Sequence, residues 1–150
     1  MKKEITLAGS ADIEELTVLL QALFSQDIEF QPDYIKQKSG LEMIIKNPLI
    51  GEILVLKIDG KIAGMVSLLY SISTVLGGKV AILEDMVIDE NYRNKSFGMQ
   101  LLNSAIQHAK QTNCLRITLL TDFNNDIAIR FYQKAGFNKS KMIPMRLVFD

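Results

Sequence analysis

The chain has 150 residues, of which 48% are hydrophobic and 23% are charged, a composition typical of a folded globular domain rather than a disordered segment. Its 17 basic and 17 acidic residues give a net charge of zero, which disfavours nucleic-acid binding through a broad basic surface. No apolar run is long enough for a membrane span, and the single cysteine and single histidine exclude an intramolecular disulfide and the usual zinc ligand sets. We therefore expect one soluble, cytoplasmic domain over residues 1–150, with no metal.

The first third of the chain predicts a short strand followed by two helices. Residues 4–8 alternate polar and apolar, and Gly9-Ser10 then leads into a helix whose apolar residues recur at helical spacing. A second helix is expected from Pro32-Asp33 until just before Asn47-Pro48.

The middle of the chain predicts an antiparallel meander. β-Branched and apolar residues fill 53–58, and the Asp59-Gly60 dipeptide that follows is typical of a two-residue hairpin turn. The partner strand covers 61–70 and extends to residue 76. After Gly77-Gly78, a third strand is expected over 80–88.

The last third predicts a βαβ unit, a further helix and a closing strand. A helix over 97–111 and a strand over 115–120 follow the meander, and a right-handed parallel connection is the expected geometry. Another helix begins near Asn124 or Asn125 and ends at Gly136, and the alternating tail 142–150 predicts a final strand. The fold class is α/β with a mixed sheet.

A polar segment over residues 92–99 is a candidate anion site, because it joins an apolar strand to the first turn of a helix. Converging backbone N–H groups and the charges of Arg93 and Lys95 would attract a phosphate. Gly98 leaves room for an anion beside the backbone, and Asn94 tolerates a positive φ. The segment suits a pyrophosphate; the alternative is an ordinary solvated turn. Neither G-x-x-x-x-G-K-[ST] nor G-x-G-x-x-G occurs in the chain.

Two adjacent carboxylates, Glu84 and Asp85, interrupt the apolar strand over 80–88. Neighbouring strand residues face opposite sides of a sheet, so one of the two is expected to be buried, which raises a carboxyl pKa and suits general-base work. We favour Glu84 as the functional one; the alternative is a salt-bridged or exposed pair.

A helical segment from Asn125 to Phe137 places Tyr132 between the small residues Ala128 and Ala135 on one face. That spacing leaves room for a ligand beside the phenol. The alternative is a core tyrosine with its hydroxyl at the rim.

Taken together and in this order, these segments resemble the GNAT family of acetyl-CoA-dependent N-acetyltransferases over nearly the whole chain. The pyrophosphate motif [QR]-x-x-G-x-[GA] is matched from Arg93 to Gly98, except that Ser96 stands where the family has glycine. The pattern N-x-x-A-x-x-x-Y-x-x-x-G-F is matched from Asn125 to Phe137. The resemblance implies a single-domain fold with a mixed sheet of about seven strands and about four helices.

The resemblance also implies the residues that bind acetyl-CoA. Its pantetheine arm would pair like an added strand with the backbone between two separating parallel strands, and its pyrophosphate would lie against main-chain amides. The implied cofactor-binding residues are Met86, Val87, Ile88, Arg93, Asn94, Lys95, Ser96, Phe97, Gly98, Met99 and Asn125.

The implied reaction is direct transfer of an acetyl group to a primary amine of a small molecule in a ternary complex. An alkylamine must first lose its proton, for which Glu84 is the expected base, directly or through water. A backbone N–H near Met86 or Val87 would stabilise the carbonyl oxygen, and Tyr132 would protonate the departing thiolate. Cys114 is interpreted as structural and His108 as a solvated surface side chain.

Two other functions are compatible with the sequence: a catalytically silent acetyl-CoA sensor, to which the Ser96 departure points, and an acetyltransferase of protein lysines or N-termini. By resemblance, residues 24–34, 71–74 and 142–146 would form the acceptor site. They contain no acidic cluster that demands a polycation, although Asp27 and Glu29 could bind one amine. A homodimer through the terminal strand is also suggested by resemblance.

Overall fold

The structure, a computed structural model that describes residues 1–26 and 31–150, contains a five-stranded mixed sheet. The strands, in sheet order, are β1 (Lys3–Leu7), β2 (Gly51–Ile58), β3 (Lys61–Ser73), β4 (Gly78–Ile88) and β5 (Ile117–Leu119). The first four pair antiparallel, and β5 pairs parallel to β4. The predicted meander and the parallel strand pair that encloses a helix are therefore confirmed.

Four helices accompany the sheet in the described part of the chain: α1 (Ile13–Phe24), α2 (Tyr34–Lys46), α3 (Phe97–Gln111) and α4 (Asp126–Lys134). Contacts divide the chain into two compact units, Met1–Leu120 and Thr121–Asp150. The first unit holds the sheet and α1 to α3, and the second holds α4 and the tail.

Helices cover both faces of the sheet in the first unit. α1 and α2 pack on one face through a buried apolar cluster that includes Leu16, Leu41 and Met65. An added Cβ on Gly64, the neighbour of Met65, would lie 3.4 Å from Leu101 of α3. Because neighbouring strand residues face opposite sides, α3 lies on the other face, where it buries Leu101 and Leu102 completely.

The predicted hairpin between β2 and β3 is confirmed at Asp59-Gly60. Both residues have positive φ, 50° and 82°, as a type I′ turn requires. The two-residue turn fixes the register of β2 against β3 and places Ile58 opposite Lys61. The pairing of the two strands has one irregularity, between Leu56 and Lys57.

Two predictions about the sheet are wrong in detail. The described residues form five strands rather than about seven, and the tail 142–150 forms no strand. Alternation of polar and apolar residues shows only that a segment, if extended, would have one apolar side. A strand forms only when a neighbouring backbone supplies its hydrogen bonds. Pro144 also lacks an N–H for such a ladder. The strand predicted over 115–120 is shortened to β5, Ile117–Leu119.

Candidate active site

A β-bulge interrupts β4 where the two carboxylates lie. Ser67 of β3 pairs with Glu84, whereas Met65 pairs with Val87, so Asp85 and one further residue of β4 stand opposite a single residue of β3. Asp85 has a φ of 54°, in the left-handed region that non-glycine residues seldom occupy. Bulges of this kind redirect side chains and are over-represented next to active sites.

The same position marks the end of the pairing between β4 and β5. The two strands pair only from Ala81 with Ile117 to Leu83 with Leu119. Beyond Leu83, no described strand pairs with that edge of β4 over residues 84–88. Along a strand, the backbone N–H and C=O groups of successive residues point alternately to the two edges. Asp89 N–H donates to Ala63 O on the β3 side, so the backbone groups of Ile88 point to the open edge. There the Ile88 carbonyl oxygen accepts a hydrogen bond from Arg93 Nε at 2.9 Å.

Burial separates the two carboxylates in a way that the sequence did not predict. Glu84 is exposed, whereas Asp85 is half-buried, and its carboxylate makes no hydrogen bond or ion pair with any described residue. Burial, with a smaller contribution from the charge of Glu84, raises the pKa of Asp85 to about 6. A carboxyl group with that pKa accepts protons near neutral pH. If the buried carboxylate is the general base, as predicted from the sequence, the structure favours Asp85 rather than Glu84.

The loop between β4 and α3 has the backbone of an anion cradle. Asn94 and Ser96 have φ values of 62° and 61°, and Ser96 is the N-cap of α3 without making a side-chain capping bond. Its hydroxyl oxygen instead accepts from Gln100 Nε2 at 3.1 Å. The first N–H groups of a helix have no intrahelical acceptor, so those of residues 97–99 are available to an anion.

The backbone conformation explains why Ser96 is the unusual residue in this loop. A left-handed φ suits glycine, whereas a residue with a Cβ is strained there by roughly 1–2 kcal/mol. Serine nevertheless adopts the left-handed conformation here.

The second unit carries Asn125 and Tyr132 on a helix with well-formed ends. Asn125 is the N-cap of α4, and its side-chain oxygen accepts from Ala128 N–H at 3.1 Å. At the other end, Gly136 N–H donates to Gln133 O and Phe137 N–H donates to Tyr132 O, the hydrogen-bond pattern of a Schellman motif. Asparagine, glycine and phenylalanine of the signature therefore each have a structural role.

The ring of Tyr132 is held by two aromatic neighbours. It makes edge-to-face contacts with Phe131, at 5.2 Å between ring centroids, and with Phe137, at 5.8 Å. Burial raises the pKa of Tyr132 to about 12, so its phenol is fully protonated at neutral pH.

The prediction for His108 is wrong, because the side chain is not solvated. It is half-buried, and its Nε2 lies 2.9 Å from Glu52 Oε1, which also accepts from Tyr70 Oη at 2.7 Å. Lys79 Nζ lies 4.3 Å from the centroid of the Tyr70 ring. The polar cluster Glu52–Tyr70–His108 thus joins β2, β3 and α3, and no local pattern could predict a contact between residues 56 positions apart.

Ser67, which no sequence motif marked as functional, is completely buried in the middle of β3. Among the described residues, its Oγ is the one fully buried side-chain oxygen or nitrogen with no hydrogen-bond partner. A serine inside an apolar strand is a weak signal, because most such hydroxyls find a partner.

The sequence-predicted residues fall into two groups. Within Met1–Leu120, the structure brings Glu84 and residues 86–88 together on the end of β4, and residues 93–99 form the loop and helix start that follow. Asn125 and Tyr132 lie in Thr121–Asp150. Asp27 and Glu29, the candidate ligands for an amine, lie outside the described residues.

Three further observations concern the described residues alone. No helix among them is both long and apolar enough to cross a membrane. No three of their histidine, cysteine and acidic side chains are grouped so that they could bind a metal ion. A surface cleft of about 390 Å³ lies between β1, β2 and the carboxyl-terminal half of α3, lined by Leu54 and His108 among others.

Comparison with known proteins establishes the family. The sequence profile of the acetyltransferase (GNAT) family matches residues 14–137, so the chain belongs to that family.

Individual relatives are distant or cover part of the chain. An uncharacterized N-acetyltransferase of Methanocaldococcus jannaschii is 26% identical over 135 residues, which cover 87% of this chain and 59% of that protein. A spermine/spermidine N(1)-acetyltransferase of Bacillus subtilis is 45% identical over 56 residues, 37% of each chain. The matches thus span less than two thirds of these relatives.

A solved structure shares the fold over the full length. The crystal structure of glucosamine-6-phosphate N-acetyltransferase from Arabidopsis thaliana superposes with a TM-score of 0.76 at 24% identity and covers 100% of both chains. This likeness bears on the fold alone.

Proposed function

We propose that the chain is an N-acetyltransferase that moves an acetyl group from acetyl-CoA to a primary amine of a small molecule. The observation that carries the proposal is the loop before α3. Its left-handed residues Asn94 and Ser96 precede a helix start without a side-chain cap, and such a start binds anions. Membership of the GNAT family supports the same reaction class.

The residues present fit the cofactor. The free N–H groups at residues 97–99, with the charges of Arg93 and Lys95, would hold the pyrophosphate. At the open edge of β4, Met86 and the N–H of Ile88 would offer backbone groups to the amides of the pantetheine arm, as in strand addition, whereas Val87 pairs with Met65 of β3. Asn125 would contribute through its side-chain NH₂, because its side-chain oxygen is engaged by Ala128. When bound, acetyl-CoA supplies a thioester that a neutral amine can attack.

The proton acceptor in the proposal is Glu84. Its carboxylate is exposed beside the bulge, so an incoming ammonium group or an intervening water can reach it. Asp85 is the competing candidate, because burial raises its pKa to about 6, close to neutral pH. Substitution of each residue separately distinguishes the two.

Two groups would stabilise the charges that develop during transfer. The backbone N–H of Met86 would donate to the carbonyl oxygen of the acetyl group, since Val87 pairs with Met65 of β3. Tyr132 Oη would donate to the leaving sulfur. A thiol has a pKa of about 8.5, well below the value of about 12 for this phenol. A strong hydrogen bond from Tyr132 to the sulfur, rather than early proton transfer, would therefore give most of the stabilisation.

The proposed acceptor class is a small molecule that carries a primary amine. Support comes from what the relatives are named for, since the partial matches include a spermine/spermidine acetyltransferase and a glucosamine 6-phosphate acetyltransferase. A lysine side chain or N-terminus of a protein is the second possibility for the acceptor, because it presents the same amine chemistry.

The test has two steps. A thermal-shift titration with acetyl-CoA is expected to raise the melting temperature, because a ligand that binds only the folded state stabilises it. A thiol-release screen over a library of small amines and lysine peptides is then expected to find turnover with a small amine. No stabilisation by acetyl-CoA contradicts the proposal. Stabilisation without thiol release favours the sensor function, and turnover of peptides alone reassigns the acceptor.

A further inference from the structure

Ser67 stands out because its hydroxyl is buried and unpartnered. The side chain is completely inaccessible to solvent, and its Oγ has no hydrogen-bond partner among the described residues. A hydroxyl can donate one hydrogen bond and accept two, and leaving it unpaired in the interior is unfavourable. Buried polar groups without partners are rare enough in folded proteins that each one calls for an explanation.

The position of Ser67 suggests its partner. Ser67 pairs with Ile53 on one side and with Glu84 on the other, at the last regular pair before the bulge in β4. Ile53 and Met65 both belong to the core beneath α1 and α2, so Ser67 and Glu84 emerge on that same face of the sheet.

The distance between such paired side chains suits a direct hydrogen bond. Directly opposite residues have Cβ atoms about 4.5–5.5 Å apart, within reach of a serine hydroxyl and a glutamate carboxylate. In the structure, Glu84 is exposed and the two side chains are not bonded.

We infer that Ser67 positions Glu84 for catalysis by donating a hydrogen bond from Oγ to its carboxylate when Glu84 turns inward to meet the acceptor amine. This inference rests on the proposed function. Bound substrates displace water from around Glu84, and the Glu84 carboxylate then accepts a hydrogen bond from the Ser67 hydroxyl in place of one from water. Ser67 thereby gains the partner that it lacks and fixes the direction from which Glu84 accepts the proton.

The inference is tested with Ser67→Ala, which removes the hydroxyl and leaves a methyl group in its place. We expect kcat to fall about three- to tenfold, the loss expected for one hydrogen bond, while KM for the amine and Kd for acetyl-CoA change less than about twofold and the melting temperature is unchanged or higher. Ser67→Thr keeps the hydroxyl and is expected to recover most of the lost kcat. Ser104→Ala, a half-buried serine on α3, is the control for loss of a hydroxyl elsewhere in the unit.

A double-mutant cycle shows whether Ser67 acts through Glu84. In a Glu84→Gln background, Ser67→Ala is expected to cause no further loss of kcat. An undiminished loss in that background, an unchanged kcat in Ser67→Ala, or no recovery in a folded Ser67→Thr variant would each overturn the inference while the wild type remains active. A wild type that releases no thiol with any amine overturns the proposed function, and the inference with it.

Discussion

Two polar clusters in the first unit differ in whether their groups have partners. In the Glu52–Tyr70–His108 cluster, one carboxylate oxygen is bound by both the phenol and the imidazole. At the bulge, the Asp85 carboxylate and the Ser67 hydroxyl make no hydrogen bond with any described residue. The polar groups of the Glu52–Tyr70–His108 cluster are therefore satisfied within the protein, whereas the bulge and the loop before α3 contain polar groups without partners among the described residues.

Backbone strain follows the same division. Five non-glycine residues in the described chain have positive φ, and three of them, Asp85, Asn94 and Ser96, belong to the bulge and the loop that follows it. The other two, Asp59 and Asn113, lie in the β2–β3 turn and just after α3. Strained conformations that persist outside ordinary turns mark candidate functional sites.

The largest effect is expected on turnover when the proposed proton acceptor, Glu84, is replaced. Glu84→Gln should lower kcat by about 10²- to 10⁴-fold, the usual contribution of a general base, with the greatest loss at low pH, where most of the amine is protonated. Asp85→Asn should lower it less than about tenfold. Steady-state rates over a pH series measure both, and the reverse ranking would assign the base to Asp85.

Tyr132→Phe should lower kcat by about 10²-fold, because the leaving sulfur would lose the hydrogen-bond donor that we propose for it. The affinity for acetyl-CoA, measured by calorimetry, should change little. Phenylalanine keeps the ring that packs against Phe131 and Phe137, so folding is preserved. Unchanged turnover in this variant would remove Tyr132 from the mechanism.

Asp85→Asn should stabilise the fold at neutral pH. Burial raises the pKa of Asp85 from 3.8 to about 6. The native state thus binds this proton more tightly than the unfolded chain, and stability from this group is lost as pH rises through about 6. At 1.36 kcal/mol per pKa unit, the gain in the variant above pH 6 approaches about 3 kcal/mol.

Denaturant unfolding at several pH values measures that gain, which should vanish below about pH 4. Asp59→Asn is the matched control, because Asp59 also has a positive φ but is exposed. It should change the free energy of unfolding by less than about 0.5 kcal/mol. An equal gain in both variants would mean that asparagine's tolerance of positive φ, and not the buried charge, is the cause.

Gly98→Val should weaken acetyl-CoA binding by about tenfold or more, roughly 1.4 kcal/mol, because a branched side chain crowds the helix start where the pyrophosphate would lie. Gly40→Val on α2 is the control, since an added Cβ there meets nothing within 4 Å. Calorimetry measures the Kd of each variant for acetyl-CoA. Equal Kd values for Gly98→Val and Gly40→Val would mean that the pyrophosphate does not bind at the start of α3.

Glu52→Gln should destabilise the fold by about 1–2 kcal/mol without changing acetyl-CoA affinity. Burial opposes ionisation of Glu52, but the hydrogen bonds from His108 and Tyr70 outweigh it and hold the pKa of that carboxyl below 4.5. The contribution is therefore present above pH 4.5 and is lost as pH falls below it. Thermal denaturation of the wild type and the variant at pH 7 and pH 3.5 measures this difference in stability. A weakened affinity of the variant for acetyl-CoA would contradict a purely structural role for the Glu52–Tyr70–His108 cluster.

Local patterns were enough to predict most of the fold. α3 spans residues 97–111 as predicted, because its apolar face and polar start are both local signals, and the Asp59-Gly60 turn follows from two residues. The tail was predicted wrongly, because a strand needs a partner that alternation does not report.

The candidate site was only partly predictable. The loop over 93–99 and the signature of α4 are contiguous in sequence and were recognised. The bulge was not, because one extra residue leaves no mark in composition. Ser67 lies 17 positions from Glu84, and only the strand register brings them together.

The central claim is that the unpartnered groups at the start of α3 bind the pyrophosphate of the cofactor. The most direct test is an amide ¹H–¹⁵N spectrum of the full chain titrated with coenzyme A. We expect the largest shifts at residues 94–99, followed by residues 86–88, with residues 103–111 along the cleft unaffected. Shifts confined to that cleft, or no saturable shift at all, would contradict it.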